Sequence, residues 1–386
     1  MKTHLPFAIA PFLFVLVPVA GAGGAHRIYY VDTCAKHKSD DGDGTSPKRP
    51  FKTIRRALAH LQAGDTVRVA PGTYHEGGLE LKASGTKKAP IRIVARKVVL
   101  HGDRRDEVGL MLAKGVHDIE VEGLTIENMG DAGFHLGTDT SRNRFTSCTA
   151  AENGRAGFLV ESSKDNVFTK CQAYGSGDTG FLLRAATGNV ISSCRSHRNG
   201  ANGFAVLDGS SKNTLSDCES WKNNMRGFLF SGKASGNHIR KNRSHHNSIL
   251  GFGVYDGSRD NVFEANNVHR NFYHGFAILH NAHGNTFRKN KVHHQIGCGF
   301  YLEASTHNTF DANECHRNQL DGFALFYKST GNKFTANFAH HNGGHALQTD
   351  SSTDAWVASN RATDNAEGAV DSRPAKELED IENYTK

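Results

Sequence analysis

One short unit recurs along most of this 386-residue chain and limits its possible folds more than any other feature. A Gly-Phe pair returns every 23 or 24 residues, at Gly133, Gly157, Gly180, Gly203, Gly227, Gly251, Gly275, Gly299 and Gly322. Each unit holds two or three apolar pairs separated by turn residues, and none holds an 11-residue stretch with helical spacing. The pattern therefore predicts three short strands per unit.

Stacking of these units predicts two inward columns of aromatic and aliphatic residues. A unit of this size cannot bury its apolar face alone, so stacking in register predicts an all-β fold, a parallel β-solenoid of about a dozen coils. One inward column is predicted to contain Phe134, Phe158, Phe181, Phe204, Phe228, Phe252, Phe276, Phe300 and Phe323. A second is predicted to contain Phe145, Phe168, Ile191, Leu215, Ile239, Phe263, Phe287, Phe310 and Phe334.

Asparagine marks the predicted corners. One column contains Asn153, Asn199, Asn223, Asn247, Asn271, Asn318, Asn342 and Asn365. Another contains Asn242, Asn266, Asn290, Asn313, Asn337 and Asn360. Asparagine tolerates the left-handed backbone conformation that a tight corner needs, and stacked amides can hydrogen-bond along the axis. We therefore expect asparagine ladders at the corners.

Cysteine replaces asparagine in the first four coils of the second column. These residues are Cys148, Cys171, Cys194 and Cys218. The simplest interpretation is that they are small buried corner residues. Rungs ~4.8 Å apart also lie within the Cα range of a disulfide, so bridges are the alternative. Cys34, Cys298 and Cys315 make the total odd, so at least one thiol stays free or pairs between chains.

The first 25 residues are typical of a secretory signal. Lys2 supplies a positive start, an apolar run follows over residues 7–19, and residues 20–22 form a small-residue cleavage site. Pro11 and Pro18 interrupt the run, which falls short of the ~20 residues that span a bilayer. We expect a secreted or periplasmic protein with no membrane span in the mature chain.

The remaining chain divides into three segments. Residues 26–132 are predicted to form an N-terminal cap and the first irregular coils, residues 133–371 the regular repeats, and residues 372–386 a polar C-terminal tail. Without Lys2 the chain carries 45 Lys and Arg against 39 Asp and Glu, a net charge of +6 with histidine neutral. This mild charge permits attraction to an acidic polymer but is far from the dense basic stripe of a nucleic-acid binder.

The cap segment contains one helical pattern. Residues 50–62 place apolar residues at helical spacing, namely Phe51, Ile54, Ala57, Leu58 and Leu61. Gly64 and Asp65 end the pattern. A short amphipathic helix is therefore predicted to plug the open end of the solenoid, as terminal caps of stacked repeats must.

Several motifs in the cap point to a known group. They are Tyr29-Tyr30-Val31-Asp32, Gly42-Asp43-Gly44-Thr45-Ser46, Pro50-Phe51-Lys52-Thr53-Ile54, Gly64-Asp65-Thr66-Val67, Pro71-Gly72-Thr73-Tyr74-His75-Glu76, Ala89-Pro90-Ile91 and Val99-Leu100-His101-Gly102. They resemble the start of secreted right-handed parallel β-helix polysaccharide lyases, which include pectate, alginate and chondroitin lyases. The coils from Gly133 onward resemble the repeats of mannuronan C5-epimerases and of periplasmic NosD-type β-helix proteins. The resemblance covers nearly all of the mature chain and implies a single right-handed parallel β-helix of the pectate lyase-like superfamily.

The catalytic residues of these families do not carry over. Calcium-assisted lyases imply clustered aspartates with a nearby lysine, and no such cluster follows the Gly-Phe strands. The epimerases imply an Asp-Pro-His-Asp run after a Gly-Phe-type pair, whereas residues 133–139 read Gly-Phe-His-Leu-Gly-Thr-Asp. Residues 40–44 (Asp-Asp-Gly-Asp-Gly) offer the oxygen ligands that calcium takes, although their composition favours a plain turn. Calcium therefore stays possible as a cofactor.

A metal-free site is predicted in the later coils. The candidate catalytic residues are His274, Tyr301 and His345. A histidine and a tyrosine can serve as base and acid near neutral pH, the tyrosine if a nearby cation lowers its pKa. Neighbouring outward or turn positions hold Arg226, Glu303, Asp321 and Lys328 as candidate substrate-binding residues, beside Gln348 and Asp350. The alternative is that stacked coils place some polar side chain at every exposed site.

A column of rings forms the second candidate feature. The column, which we call the ring stripe, is Tyr174, His197, Trp221, His245, His269, His293, His316 and His340. Alternation along each strand is predicted to face these rings outward. The next position along the chain is basic in seven coils, at Arg198, Lys222, His246, Arg270, His294, Arg317 and His341. Such a surface could bind the face of a sugar chain and its carboxylates, bind copper or zinc, or only stabilise the sheet.

These features predict an exported protein that acts on an acidic, uronic-acid-containing polysaccharide, as a lyase by β-elimination or as a related epimerase. The resemblance supplies most of the weight for this function, and a fold alone does not imply a function. The alternative is a non-catalytic β-helix protein of the cell envelope that binds carbohydrate or metal. In either case we expect a monomer whose partner is an acidic polysaccharide and not a nucleic acid.

Overall fold

The chain winds into a parallel β-helix. The computed structural model describes residues 26–36, 38–350, 355–372 and 381–383, so the predicted signal segment 1–25 lies outside the described residues. Strands of successive coils pair in parallel, and each regular coil contributes three strands. The prediction of an all-β solenoid with three strands per unit is confirmed. No helix within the described ranges is long and apolar enough to cross a membrane.

Three rows of strands run along the axis. The row that carries the Gly-Phe pairs forms a 13-stranded sheet, the Gly-Phe sheet, with strands Leu79–Leu81, Val108–Leu112, Ala132–Leu136, Ala156–Glu161, Thr179–Arg184, Phe204–Leu207, Arg226–Phe230, Leu250–Val254, Phe276–Leu279, Phe300–Glu303, Phe323–Phe326, Leu347–Thr349 and Val370–Ser372. The middle row has strands Arg144–Thr146, Val167–Thr169, Val190–Ser192, Thr214–Ser216, His238–Arg240, Val262–Glu264, Thr286–Arg288, Thr309–Asp311, Asn332–Thr335 and Ala355–Ala358. The histidine row has strands Thr149–Ala151, Gln172–Tyr174, Arg195–His197, Glu219–Trp221, Arg243–His245, Asn267–His269, Lys291–His293, Glu314–His316, Phe338–His340, Asn360–Thr363 and Ile381–Asn383.

The first coils are less regular. Their further strands are Ile28–Val31, Thr66–Val69, Gly72–Tyr74, Ile91–His101 and Ile119–Glu127. The last two are long enough to bend through two rows, since Ile91–His101 pairs with both Thr66–Val69 and Gly72–Tyr74. This early part joins the regular coils through Ile119–Glu127, which pairs with Arg144–Thr146 and Thr149–Ala151.

Stacked phenylalanines fill the interior. In the column that follows the glycines, from Phe134 to Phe323, neighbouring ring centroids lie 4.6–5.1 Å apart. The second predicted column packs edge-on against the first, as Phe287 does against Phe276 at 5.5 Å. Residues of both columns are at most 3% exposed. Both predicted inward columns are therefore confirmed, and burial of these rings is the main force that holds the coils together.

The asparagine ladders form, but their backbone differs from the prediction. Asn223 Nδ2 donates to Asn247 Oδ1 at 3.0 Å, and the same oxygen accepts the backbone N–H of Asn223 at 3.2 Å. A third ladder, from Asn143 to Asn332, repeats the pattern in the turn before the middle row. The left-handed residue is the one before each asparagine, such as Lys222 with φ 54°, and not the asparagine itself. The side-chain amide therefore closes the corner, while its neighbour makes the turn.

The four stacked cysteines are reduced and buried. Cys148, Cys171, Cys194 and Cys218 are all free thiols with at most 1% exposure. Their sulfur atoms lie 3.3–3.6 Å from backbone carbonyl oxygens of their own or the preceding coil. The interpretation as small corner residues fits this arrangement, and the alternative of bridging does not. Cys298 and Cys315 are also buried, and Cys34 is exposed.

A helix shorter than predicted closes the N-terminal end. It runs over Ile54–Leu58, and the Thr53 hydroxyl caps it by accepting the N–H of Arg56. Phe51, at the start of the predicted helix, instead pairs with the first strand, where its N–H donates to the carbonyl of Tyr30. The carboxylate of Glu76 accepts the N–H groups of Ile54 and Arg55 at 2.8 and 3.0 Å. The helix buries Ile54, Ala57 and Leu58 against the first coils.

Candidate functional site

The position directly before each glycine forms a polar column in the later coils. His274, Cys298, Asp321 and His345 occupy four successive rungs, because the N–H of each following glycine bonds to the carbonyl of the next member. The glycine itself is required by close packing at this corner, since a Cβ on Gly275 would lie 2.3 Å from Cγ1 of Val292. The Gly-Phe sheet therefore packs closely against the histidine row at this corner. The polar column of the sheet lies beside the turn that joins the sheet to the histidine row.

His274 is buried and pairs with a tyrosine. Its ring stacks on Tyr301 with centroids 4.5 Å apart and planes inclined by 11°. Its Nδ1 accepts the backbone N–H of Cys298 at 3.0 Å. Burial lowers the pKa of His274 to about 4, so the ring is neutral at pH 7. Because Nδ1 accepts, the single proton lies on Nε2, which makes His274 a hydrogen-bond donor in this state.

The hydroxyl of Tyr301 is less acidic than its predicted catalytic role requires. Its hydroxyl donates to Oε2 of Glu303 at 3.2 Å. Burial, and then the charge of Glu303, raise the pKa of Tyr301 well above its ordinary value. The condition that a nearby cation lowers this pKa is therefore not met. A tyrosine of this kind keeps its proton at neutral pH and can donate it, but it cannot be a base.

His345 lies apart from the other two candidate catalytic residues. Its Nδ1 is 3.3 Å from Oε2 of Glu367 and 3.6 Å from Oδ1 of Asp321. The backbone N–H of His345 also bonds to that Asp321 oxygen at 2.7 Å. Tyr301 pairs with Ala324, which pairs with Gln348 three residues after His345. The structure therefore places His274 with Tyr301 and Glu303, and His345 with Asp321 two rungs further along the axis.

Two candidate substrate-binding cations, Arg226 and Lys328, lie on other coils than the candidate catalytic residues. Arg226 lies two rungs before His274, with its guanidinium 5.1 Å above the ring of Tyr255. Lys328 lies in the turn after Phe323–Phe326, one rung beyond Tyr301. In the same turn, the N–H of Tyr327 bonds to Oδ2 of Asp350 at 2.7 Å. Arg226 thus precedes both groups along the axis, whereas Lys328 lies on the coil between those of Tyr301 and His345.

Exposed apolar side chains beside this site were missed by the sequence analysis. Phe272 and Tyr273 are 64% and 51% exposed in the turn directly before His274, and Tyr327 is 65% exposed. The Tyr273 ring lies 4.0 Å from the ring of His274. Equivalent turns in other coils read Asn224-Met225 and Ser248-Ile249. Two consecutive aromatic residues in this turn were therefore the sequence signal that could have predicted the exposed surface.

The ring stripe is continuous in the structure. From Tyr174 to His340 neighbouring centroids lie 4.2–6.0 Å apart, and their planes are inclined by at most 24°. The rings project from the outer side of the histidine row, but mutual stacking covers them, so that His197, His269 and His316 are only 4–8% exposed. The basic residues that follow them occupy left-handed turn positions with φ between 53° and 57°.

Burial makes the stripe weakly basic. Burial, and then neighbouring cationic side chains, lower the pKa of His269 to about 3 and the pKa of His293 and His316 to about 4. The pKa of His197, His245 and His340 is also lowered, mainly by burial. The stripe is therefore a column of neutral rings at pH 7, bordered by the charged side chains of Arg198, Lys222, Arg270 and Arg317.

Neither candidate cation site forms a cluster of three ligands. No group of three or more His, Cys, Asp or Glu side chains in the described part of the chain is arranged to hold a metal ion. In the acidic loop of residues 40–44, Asp40 accepts the N–H groups of Lys52 and Thr53 at 2.9 and 3.1 Å. Asp43 accepts the N–H of Thr45 at 3.0 Å. These bonds are typical of a structural turn.

Family models match most of the chain. A model described as "Pel9A-like, right handed beta helix region" matches residues 29–239, and one described as "Right handed beta helix region" matches residues 277–378. Among curated proteins, the uncharacterized protein YwoF of Bacillus subtilis (strain 168) is 38% identical over 98 residues. That match covers 24% of this chain and 20% of YwoF.

Solved structures share the architecture. The A-module of mannuronan C-5 epimerase AlgE6 from Azotobacter vinelandii superposes with a TM-score of 0.56 at 15% identity, over 76% of this chain and 91% of the module. A mutant form of the periplasmic alginate epimerase AlgG gives 0.60 at 11% identity, over 82% of each chain. A rhamnogalacturonan lyase gives 0.57 at 17% identity, over 69% of this chain and 82% of its own. At these identities the likeness shows the fold, and the predicted pectate lyase-like β-helix superfamily is confirmed.

Proposed function

Because the chain belongs to the Pel9A-like right-handed β-helix family, we propose that it acts outside the cytoplasm on an acidic, uronic-acid-containing polysaccharide and cleaves it by β-elimination. The observation that carries this proposal is the stacked pair of His274 and Tyr301 on the outer face of the Gly-Phe sheet, with Glu303 bonded to the tyrosine. The names of the structural relatives, which include two alginate epimerases and a rhamnogalacturonan lyase, support the substrate class.

Tyr301 is the proposed acid. Elimination removes the proton on C5 of the uronate, breaks the bond from C4 to the glycosidic oxygen and forms a double bond between C4 and C5, so the leaving oxygen needs a proton. Tyr301 keeps its proton at neutral pH because burial and Glu303 raise its pKa. His274, with its proton on Nε2, donates a hydrogen bond to the sugar carboxylate and stabilises the charge that develops there.

His345 is the proposed base. Its Nδ1 faces the carboxylates of Asp321 and Glu367, which favours a proton on Nδ1 and leaves the lone pair of Nε2 open to receive the C5 proton. His345 stands two rungs from Tyr301, a backbone separation of about 10 Å that leaves room for one sugar ring between the two side chains. Tyr273, exposed beside His274, offers an aromatic face to a neighbouring sugar.

The polymer is proposed to extend from this site across the ring stripe. The stripe and the Gly-Phe sheet meet at the turn that carries Phe272 and Tyr273, so one chain can contact both surfaces. Trp221 and the stacked histidines supply ring edges, because their faces stack on one another, and Arg270 and Arg317 supply the cations that pair with uronate carboxylates. Arg226, before the catalytic groups, and Lys328, on the coil between those of Tyr301 and His345, bind carboxylates of adjoining sugars, and Asp321 acts through His345.

The test is a screen for the unsaturated uronide, which absorbs near-ultraviolet light. Pectate, alginate and glycosaminoglycans are incubated with the protein, each with calcium and with chelator. We expect absorbance to rise with one polymer, and Tyr301→Phe to reduce that rate by about 10²–10⁴-fold, the usual contribution of a positioned acid. Tyr30→Phe, which changes a tyrosine of the first strand Ile28–Val31, is the control and should keep the rate. Equal rates for the two variants would contradict the assigned role of Tyr301.

Binding without cleavage is the second candidate function, and the continuity of the stripe favours it. A surface of eight stacked rings bordered by cations can bind a polymer without any acid or base. In this case electrophoresis in a gel that contains the polymer retards the protein, no absorbance develops, and Trp221→Ala weakens the retardation while Tyr301→Phe does not. Absorbance growth in the screen would exclude this function as the sole one.

A further inference from the structure

Pairs of adjacent histidines recur at alternate coils of the histidine row. They are His245 with His246, His293 with His294, and His340 with His341. In each pair the two Nδ1 atoms face one another, at 2.8, 2.8 and 2.9 Å. The coils between them carry arginine in the second position, at Arg270 and Arg317. The spacing of the pairs, two coils each time, makes them three separate copies of one local arrangement.

The first histidine of each pair is oriented by an oxygen atom on its far side. Nε2 of His245 lies 3.2 Å from Oε1 of Glu219, and Nε2 of His340 lies 3.4 Å from Oε1 of Glu314. Nε2 of His293 lies 3.2 Å from the amide oxygen of Asn267. An oxygen acceptor at Nε2 places the proton on that nitrogen, so the lone pair is on Nδ1, directed at the second histidine. A histidine ligand of a metal ion is held by a partner of this kind on its other nitrogen.

The two intervening coils differ from the pairs: both ring nitrogens of His316 are buried without a hydrogen-bond partner, and His269 has the opposite arrangement. Nε2 of His269 accepts a hydrogen bond from Nε of Arg243 at 3.2 Å, which leaves the proton on Nδ1. That Nδ1 is buried with no hydrogen-bond partner, and its neighbour in sequence is Arg270, which has no lone pair to offer. The alternation of His-His with His-Arg coils therefore alternates pairs of ligand atoms with positions that cannot chelate.

Each pair shares one proton that a metal ion can replace. The Nδ1–Nδ1 contacts of 2.8–2.9 Å are hydrogen bonds, in which the second histidine donates from Nδ1 to the lone pair of the first. Release of that proton and rotation of the exposed turn histidine direct both Nδ1 lone pairs to one ion. Imidazole nitrogen suits Cu²⁺, Ni²⁺ and Zn²⁺, and Cu²⁺ binds such ligands most tightly of the three.

We propose that these three histidine pairs are bidentate sites for a divalent ion of the copper class, each completed by water. Two ligands per ion are fewer than a buried structural site uses, which agrees with the absence of any three-ligand group in the described residues. The sites are separate from the proposed catalytic groups and do not depend on the proposed lyase activity.

The test is titration of the untagged protein with Cu²⁺ at pH 7, followed by calorimetry and by electron paramagnetic resonance. The variant replaces the second histidine of every pair, as His246→Asn, His294→Asn and His341→Asn together, because asparagine tolerates the left-handed turn that these positions adopt. The control is Arg270→Asn with Arg317→Asn, which changes the same column in the intervening coils. We expect the triple variant to bind three fewer copper ions than the unaltered protein, and the control to keep all of them.

Two spectroscopic results sharpen this test. The unaltered protein should give a tetragonal Cu²⁺ signal with nitrogen splitting from two imidazoles, and the triple variant should lose that component while its circular dichroism spectrum stays unchanged. Zn²⁺ should bind at least tenfold more weakly than Cu²⁺, because Cu²⁺ has the highest affinity of the divalent first-row ions for nitrogen ligands. The same copper stoichiometry for the triple variant and the unaltered protein would overturn the proposal, as would a loss of sites in the arginine control.

Discussion

The outer face of the Gly-Phe sheet has two different surfaces on one scaffold. In the earlier coils Ala156, Leu159, Leu182 and Ala205 pack together on this face. In the later coils, from His274 onward, the same columns carry the polar side chains of the candidate site. Beneath both halves the column of stacked phenylalanines continues with the same spacing. The inward positions therefore maintain the fold, and the outward positions are free to differ.

Removal of an inward phenylalanine ring should lower the free energy of unfolding equally in the earlier and the later coils. Phe158→Ala in the earlier coils and Phe276→Ala in the later coils each delete a fully buried ring from the same column. Each is expected to lower the free energy of unfolding by about 3–5 kcal/mol, through lost burial and the cavity left behind. Urea denaturation followed by circular dichroism measures both. A cost for Phe276→Ala below half that for Phe158→Ala would show that the later coils are not an equal part of the folded unit.

Acid should affect the later coils more than the earlier ones. Burial lowers the pKa of His269 to about 3 and the pKa of His316 to about 4, whereas histidines titrate near 6.5 in an unfolded chain. Above pH 7 the rings are neutral in both states and contribute no pH dependence. As the pH falls from about 6.5 toward 4, the unfolded chain takes up protons first, so stability is lost over this window, by up to about 1.4 kcal/mol per ring and pH unit.

Melting temperatures between pH 5 and pH 7.5 measure this effect. The control is His269→Phe with His316→Phe, which keeps stacked rings in the column and removes two titrating groups. The double variant should lose less stability between pH 7 and pH 5 than the unaltered protein, and hydrogen exchange at pH 5 should rise first in the later coils. A melting temperature that is flat between pH 7 and pH 5 would contradict the pKa directions on which this prediction rests.

The sequence predicted the fold well because each coil repeats the same requirements. A Gly-Phe step of 23 or 24 residues identifies strands, inward columns and corners without knowledge of any contact. Local details that depend on neighbouring coils were predicted less well. The helix is confined to Ile54–Leu58 because Phe51 bonds to the strand that contains Tyr30, and the left-handed residue precedes each corner asparagine.

The candidate site was less predictable for a physical reason. The sequence places His274 and Tyr301 in neighbouring coils, and the structure confirms that they stack. The acidity of Tyr301 depends on how deeply neighbouring coils bury it and on the bond to Glu303, which no spacing rule gives. The same holds for the histidine pairs, since the proton position on His293 is set by Asn267 one coil earlier.

The smallest expected change in the free energy of unfolding comes from two substitutions in one outward column, one in the earlier coils and one in the later coils. Arg184 and Glu303 both stand four residues after the glycine of their coil, and Arg184 forms an exposed ion pair with Asp208 at 2.8 Å. Arg184→Gln and Glu303→Gln should each change the free energy of unfolding by less than about 1 kcal/mol, because exposed charges contribute little. Only Glu303→Gln should reduce the rate of uronide formation, by about tenfold, which corresponds to about 1.4 kcal/mol of transition-state stabilisation. If both variants reduced that rate equally, the outer face would act as one continuous binding surface, and the distinction between an apolar earlier half and a functional later half would fail.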